Sequence, residues 1–230
     1  MMKKLIFSML TLLLMAAPVM AQYYPNGKPI PPRHRASYGN YRYRMNNYGT
    51  YYGFRIGLGL STVNSDSPVL DATDAKTGLN VGFAIGTQLT NMAPLYFESG
   101  LYYTEKGGKS VYNNAKFTYG LNYLELPLLI KYRYQVSPDV SIDPFLGGYF
   151  ACGVGGKIKD YAHREAYSSF GSDYPDAFDR YDAGLKMGCG VSFQMLYLEA
   201  SYDIGLANVG KDTFDDTRTG CFNLTFGVNF

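Results

Sequence analysis

The sequence predicts an all-β fold, an eight-stranded antiparallel barrel of the up-and-down type that crosses a membrane. Three observations carry this. The final stretch places Phe222, Leu224, Phe226, Val228 and Phe230 at every second position, with Asn223, Thr225, Gly227 and Asn229 between them. A period of two gives a strand one apolar face and one polar face. Seven earlier stretches alternate in the same way, and the connections between them run long and polar, then short, in strict succession. Finally, nothing after residue 21 approaches the ~18 apolar residues of a membrane helix. The chain's 26 Gly and 23 Tyr, with no Trp, suit alternating strands instead.

The first segments lie outside the barrel. Residues 1–21 read as a secretory signal peptide: Lys3 and Lys4 precede an apolar run, and Val19-Met20-Ala21 offers a cleavage position before Gln22. A membrane anchor is the alternative, but the run is short for a span of ~20 residues. No Cys follows the cleavage position, which argues against a lipoprotein. Residues 22–53 carry Lys28, Arg33, Arg35, Arg42 and Arg44 without an acid and are rich in Pro, Tyr, Asn and Gly. This composition reads as a disordered periplasmic segment, either a solvated linker or a basic arm for an anionic partner. Residues 54–230 form the barrel, with 14 basic against 19 acidic residues.

Strand one is Phe54 to Ser61, followed by a Ser/Asp/Thr-rich loop over 61–76. Leu79, Val81, Phe83, Ile85 and Leu89 mark strand two, and Thr90 to Pro94 a short turn. Strand three runs from Leu95 to Lys106, with Phe97, Leu101 and Tyr103 opposite Glu98, Gly100 and Tyr102, before a polar loop over 107–117. Strand four, Leu121 to Tyr134, sets Leu124, Leu126, Leu128, Ile130, Tyr132 and Tyr134 against Tyr123, Glu125, Pro127, Leu129, Lys131 and Arg133. A turn at Ser137-Pro138-Asp139 leads to strand five, about Val140 to Gly155, with Leu146, Phe150, Cys152 and Val154 on its apolar face. The longest loop, 156–180, precedes strand six, Tyr181 to Phe193. A turn near Gln194 leads to strand seven, where Leu196, Leu198, Ala200, Tyr202 and Ile204 alternate with Tyr197, Glu199, Ser201 and Asp203. The loop 206–219 and the last strand complete the barrel.

Long loops after the odd strands and tight turns after the even ones put the loops outside and both termini in the periplasm. Tyr96, Phe97, Tyr132, Tyr134, Phe193 and Phe230 then form a periplasmic aromatic girdle. With the apolar faces toward lipid, the interior receives Arg55, Glu98, Glu125, Lys131, Lys186, Glu199 and Asp203, together with Gln88, Asn223 and Asn229. An eight-stranded barrel is wide enough only to be filled by side chains. Charges of both signs inside it must pair or meet water, so the expectation is a plugged, salt-bridged interior rather than an open pore. Cys152, Cys189 and Cys221 read as small strand side chains, with a Cys152–Cys189 bridge between neighbouring strands as the alternative. No pattern calls for a cofactor or metal.

At strand four, Asn122-Tyr123-Leu124-Glu125-Leu126-Pro127-Leu128-Leu129-Ile130-Lys131-Tyr132 resembles the Y-L-E-L-P-L-L-x-K-Y signature of the PorT-like outer-membrane β-barrel family of Bacteroidetes. Phe97 to Gly108, Asp182 to Gly190 and Glu199 to Asn208 are similar to that family's third, sixth and seventh strands, with Ser201 where Arg is usual. The resemblance spans about 54–230 and implies an integral outer-membrane, porin-like protein. Likeness to bacterial outer-membrane barrels further implies that Phe226, Val228 and Phe230 carry an assembly signal for the barrel assembly machinery. The founding member implies a role in protease secretion.

Three classes of function then compete. The leading expectation is a structural or interaction barrel whose partners are outer-membrane lipid and another envelope protein, met through the loops or the basic segment. Tyr161, Tyr167, Tyr174 and Tyr181 give the third loop aromatic contact groups. A secretion accessory or a narrow ion path is the alternative. Catalysis would need a His-activated Ser, and His163, with Ser168 and Ser169 nearby, is the one barrel histidine. A solvated loop histidine fits better, so no enzyme activity is expected, and nucleic acid is excluded behind a signal peptide.

Overall fold

The computed structural model describes residues 49–65, 74–90, 93–112, 115–160, 165–170, 178–210 and 217–230. The signal peptide and nearly all of the basic segment lie outside the described residues, as do His163, Tyr161 and Tyr174. The strands are β1 (Thr50–Asn64), β2 (Asp74–Gln88), β3 (Leu95–Tyr112), β4 (Ala115–Tyr132), β5 (Tyr134–Gln135), β6 (Val140–Gly155), β7 (Lys157–Asp160), β8 (Glu165–Ser168), β9 (Tyr181–Phe193), β10 (Leu196–Gly205) and β11 (Arg218–Asn229).

Eight long strands close on themselves in the order β6-β9-β10-β11-β1-β2-β3-β4, with β4 back on β6. All pairings are antiparallel, and the seam joins the first and last strands from Gly53↔Asn229 to Asn64↔Arg218. Backbone bonds between Tyr52 and Phe230 at 2.8 and 2.9 Å carry the seam to the last residue. No strand edge is then left for lipid to face, which is the condition for a sheet to span a bilayer. The expected eight-stranded barrel is the observed one.

Alternation sorts the side chains. Ile56, Leu58, Phe83, Leu101, Leu126, Leu146, Phe150, Leu198, Leu224 and Phe226 are exposed on the outer wall, while Arg55, Glu98, Glu125, Lys131 and Asp203 are buried inside. On β6, Leu146, Phe150, Cys152 and Val154 face outward and Phe145 and Tyr149 inward, as the alternation predicts. Tyr132, Phe193 and Phe230 are exposed on the outer wall at the short-turn end, whereas Tyr96 corrects the expected girdle. Its ring is buried inside, 5.8 Å from that of Tyr51.

The loop ends depart most from expectation. Residues 107–117, expected as a loop, are mostly strand, with the β3–β4 ladder running from Leu95↔Tyr132 to Tyr112↔Ala115. Inward and outward positions keep alternating there, so the hairpin projects past the membrane. Gly107 permits it: its φ of 138° suits glycine, and a Cβ would lie 1.9 Å from the Tyr119 carbonyl. The loop read over 61–76 is likewise trimmed, since β1 runs to Asn64 and β2 starts at Asp74. Within 156–180 the short strands β7 and β8 form a hairpin that pairs onto β4 at Tyr119↔Ile158. At the other end β1 begins at Thr50, ahead of the expected Phe54.

The cysteines do not bridge. Cys152 stands opposite Tyr181 and Cys189 opposite Pro144, so along β6 the two lie about 27 Å apart at ~3.4 Å per residue. A disulfide needs Cα atoms within ~7 Å. All three cysteines are free.

Candidate functional site

The strand period turns the polar face of every long strand into one lumen. Glycines make the lumen wide enough for large side chains. A Cβ on Gly53 would fall 2.3 Å from the Arg55 guanidinium, and one on Gly190 would fall 2.2 Å from the Tyr197 hydroxyl.

The charges are stacked in tiers. At the short-turn end, Arg133 bonds Asp143 at 3.2 Å, and Ser141 and Ser192 donate to the same carboxylate at 2.9 and 3.1 Å. The Arg133 guanidinium covers the Tyr96 and Tyr51 rings at 4.6 and 5.0 Å. The Tyr51 hydroxyl donates to Glu98, which links this tier to the next.

In the middle tier cations and anions alternate. Arg55 lies 3.8 Å from Glu98, Glu98 2.8 Å from Lys131, and Lys131 3.2 Å from Glu199. Lys131 also donates to the Tyr197 hydroxyl at 2.7 Å, and that hydroxyl donates to Glu199 at 2.8 Å. Arg55 stacks on the Tyr197 ring at 4.0 Å.

A second alternating chain lies above it. Asp203 is 3.0 Å from Lys186, Lys186 2.9 Å from Glu125, Glu125 3.2 Å from Lys106, and Lys106 3.3 Å from Asp182. Asn223 donates to Asp203 at 2.9 Å, and Thr219 to Asp182 at 2.9 Å. Buried charges persist only when paired and hydrogen-bonded. Every charge in these chains has an opposite charge within 3.8 Å, but Arg55 Nε and Nη2, Glu125 Oε2, Asp182 Oδ1 and Asp203 Oδ1 are buried without a hydrogen-bond partner among the described residues.

An apolar cap closes the loop end. Tyr119 and Leu121 of β4, Ile158 of β7, and Phe170, Phe178 and Val209 from the connections are buried together. Edge-to-face pairs fix the cap: Tyr119 with Phe178 at 6.0 Å and Tyr123 with Phe170 at 5.5 Å. Tyr167 packs against this cluster, while Tyr181 is left exposed on the outer wall. Ser169 is buried and donates to the Gly120 carbonyl at 2.7 Å, so its hydroxyl is committed to holding the cap.

All seven interior charges named from the sequence lie in these two chains: Arg55, Glu98, Lys131 and Glu199 in the first, and Glu125, Lys186 and Asp203 in the second. Asn223 joins them. Gln88 instead serves the β2–β3 turn, donating to the Thr90 carbonyl at 2.9 Å, and Asn229 is half-buried. Ser201, where the resembled family carries Arg, is buried in the lumen wall. Sequence reasoning missed Lys106, Asp182, Asp143, Tyr51 and Tyr197 as members. Lys106 and Asp182 share parity with Glu98 and Lys186 and lie within the expected strands three and six, so carrying the polar period to the strand ends would have found them. Of the carboxy-terminal residues, Phe226 and Phe230 are exposed on the outer wall, with Val228 half-buried between them.

Residues 35–210 match the protein family described as "Outer membrane protein beta-barrel domain". No curated protein matches the sequence. Among solved structures, the chain is similar to the attachment invasion locus protein Ail of Yersinia pestis, at 16% identity over 80% of this chain and 100% of that one, with a TM-score of 0.42. Neisserial surface protein A is similar at 16% identity over 80% and 98%, with a TM-score of 0.46. A major outer membrane protein of Thermus thermophilus follows at 11% identity over 80% and 100%, with a TM-score of 0.47.

Proposed function

Because this chain belongs to the outer membrane protein β-barrel domain family, and so sits in the outer membrane as an integral barrel, we propose that it is a plugged, non-catalytic barrel that acts by binding through its loop end. The observation that carries this reading is the filled lumen. Arg55, Lys106, Lys131 and Lys186 are all buried and all paired with carboxylates, and the apolar cap stands over them. Such an interior leaves a solute no continuous path, so the exposed loop end and outer wall are the surfaces that meet partners.

Planar-bilayer recording of the folded protein tests this. The expected result is a silent membrane, whereas steady single-channel steps would replace the plugged barrel with a channel. On this reading, residues 1–21 direct export, and Phe226, Val228 and Phe230 present the last strand to the assembly machinery.

A secretion-accessory role is the second reading, favoured by the Asn122–Tyr132 segment. Packing accounts for much of that motif: Leu124, Leu126 and Ile130 meet lipid, while Glu125 and Lys131 join the two lumen chains. Deleting the gene and assaying secreted protease separates the readings, since only an accessory role makes secretion fail.

A further inference from the structure

The lumen uses Lys106, Lys131 and Lys186, but a second group of lysines turns outward. Beyond the membrane β3, β4 and β7 continue as one sheet. Lys109 stands opposite Thr118, and Thr118 opposite Lys159, which makes a row across three strands on the outer face. Lys116 is two positions from Thr118 and Lys157 two positions from Lys159, so both share that face. Lys109, Lys116, Lys157 and Lys159 are all exposed. No carboxylate of the described residues forms an ion pair with any of them.

Lys76 reaches the same place. A Cβ on Gly107 would come 3.2 Å from its Cδ, and one on Gly120 3.9 Å from its Cε. The side chain therefore runs beside two residues that have none of their own. Burial holds the Lys76 ammonium below its usual range; Glu105 works against this, and Lys159 and Lys109 add repulsion. Among acids whose side chains are described, those nearby are Asp74, opposite Lys109, and Glu105, whose oxygens already accept from the Tyr103 hydroxyl at 3.3 Å and the Leu79 amide at 3.2 Å.

The height of this row decides what it meets. Tyr132, at the short-turn edge, and Thr118 lie on the same strand. At ~3.3 Å per residue and a tilt of ~40°, Thr118 stands about 35 Å above Tyr132, while the lipid-facing band is about 25 Å tall. The lysines thus sit roughly 10 Å beyond the hydrocarbon, at headgroup depth. They also face sideways, on the wall that Leu101 and Leu124 present to lipid lower down.

We propose that this outward basic face binds phosphate groups of the outer-leaflet lipid headgroups. The charge is complementary, the depth matches, and the face is continuous with the lipid-contacting wall rather than with the loop tips. Phosphate oxygens would take ammonium donors from the row, and bare backbone at Gly107 and Gly120 would let a headgroup approach the sheet closely.

The test uses full-length protein on affinity resin in neutral detergent, with radiolabelled bis-phosphorylated lipid A as the probe. Folding is checked by unboiled gel mobility. Lys109→Gln/Lys157→Gln/Lys159→Gln should bind roughly a hundredfold more weakly, about fivefold per lysine. Lys157→Gln alone should lose about fivefold, which keeps the test decisive if the triple variant does not fold. Arg218→Gln, on β11, should bind like wild type, and raising salt to 0.5 M should weaken binding. Equal binding of dephosphorylated lipid A, or wild-type affinity in the lysine variants, would overturn the proposal. Displacement of lipid A by an equal concentration of inorganic pyrophosphate would also overturn it, because the face would then be a site for free phosphate.

Discussion

Lys131→Met is the sharpest perturbation of the lumen. The ammonium of Lys131 makes three contacts: Glu98 at 2.8 Å, Glu199 at 3.2 Å and the Tyr197 hydroxyl at 2.7 Å. At an effective dielectric of ~20, each carboxylate contact is worth about 5 kcal/mol before desolvation is subtracted. Methionine fills nearly the same volume, so the change removes charge rather than packing. The chain Arg55–Glu98–Lys131–Glu199 is neutral in the wild type, and the variant leaves it with one uncompensated negative charge. Breaking a buried pair in this way costs about 3–5 kcal/mol.

The double variant Lys131→Met/Glu199→Gln restores neutrality, because Arg55 and Glu98 remain as a pair. It should therefore be about 2 kcal/mol more stable than Lys131→Met alone, a coupling expected of residues in one network. The chain has no Trp, so unfolding is best followed in phospholipid vesicles by the fraction of fast-migrating band in unboiled gels across a urea series. A double variant as unstable as the sum of the two single changes would refute the charge-balance account.

Gly190→Ala should destabilise by about 1–3 kcal/mol, because its Cβ would lie 2.2 Å from the Tyr197 hydroxyl, which Lys131 and Glu199 hold in place. Gly148→Ala, whose nearest neighbour would be 3.5 Å away, should be tolerated in the same urea series. Of the thiols, Cys152 is exposed and Cys221 buried. Maleimide should therefore modify Cys152 in the folded protein and Cys221 only after unfolding, as mass spectrometry would read. Oxidation should leave gel mobility of the monomer unchanged, since a Cys152–Cys189 bridge cannot form.

The barrel was legible because the bilayer enforces the period. Lipid outside and charge inside give each strand opposite demands at successive residues, so Leu124, Leu126 and Ile130 separate cleanly from Glu125 and Lys131. Legibility fails where that contrast fades. Past the membrane both faces meet water or loop, and the stretch 107–117 reads as a loop although residues 107–112 and 115–117 continue the ladder. Aromatic residues hid as well, because a tyrosine suits either wall. Tyr96 and Tyr132 look alike in sequence, yet one stacks in the lumen and the other faces outward. The cap was invisible for a different reason: Ile158, Phe170, Phe178 and Val209 come together only through the β7–β8 hairpin and the bridge between Phe178 and Gly210.

The lumen charges also explain how the strands find one register. A slip of one residue is forbidden by the faces alone, since it would turn Glu199 and Asp203 to lipid and Leu198 inward. A slip of two keeps every face correct, and the apolar wall does not resist it. It would carry Glu199 about 7 Å along the barrel relative to Lys131, and Asp203 as far from Lys186. Four carboxylate–ammonium contacts, Glu98–Lys131, Lys131–Glu199, Glu125–Lys186 and Lys186–Asp203, cross between strands that are not neighbours or fix those that are. A wholly apolar lumen would fill the same space without distinguishing the two registers. The paired charges bring each ammonium within reach of its carboxylates only in the observed register, which gives the expensive interior its structural purpose.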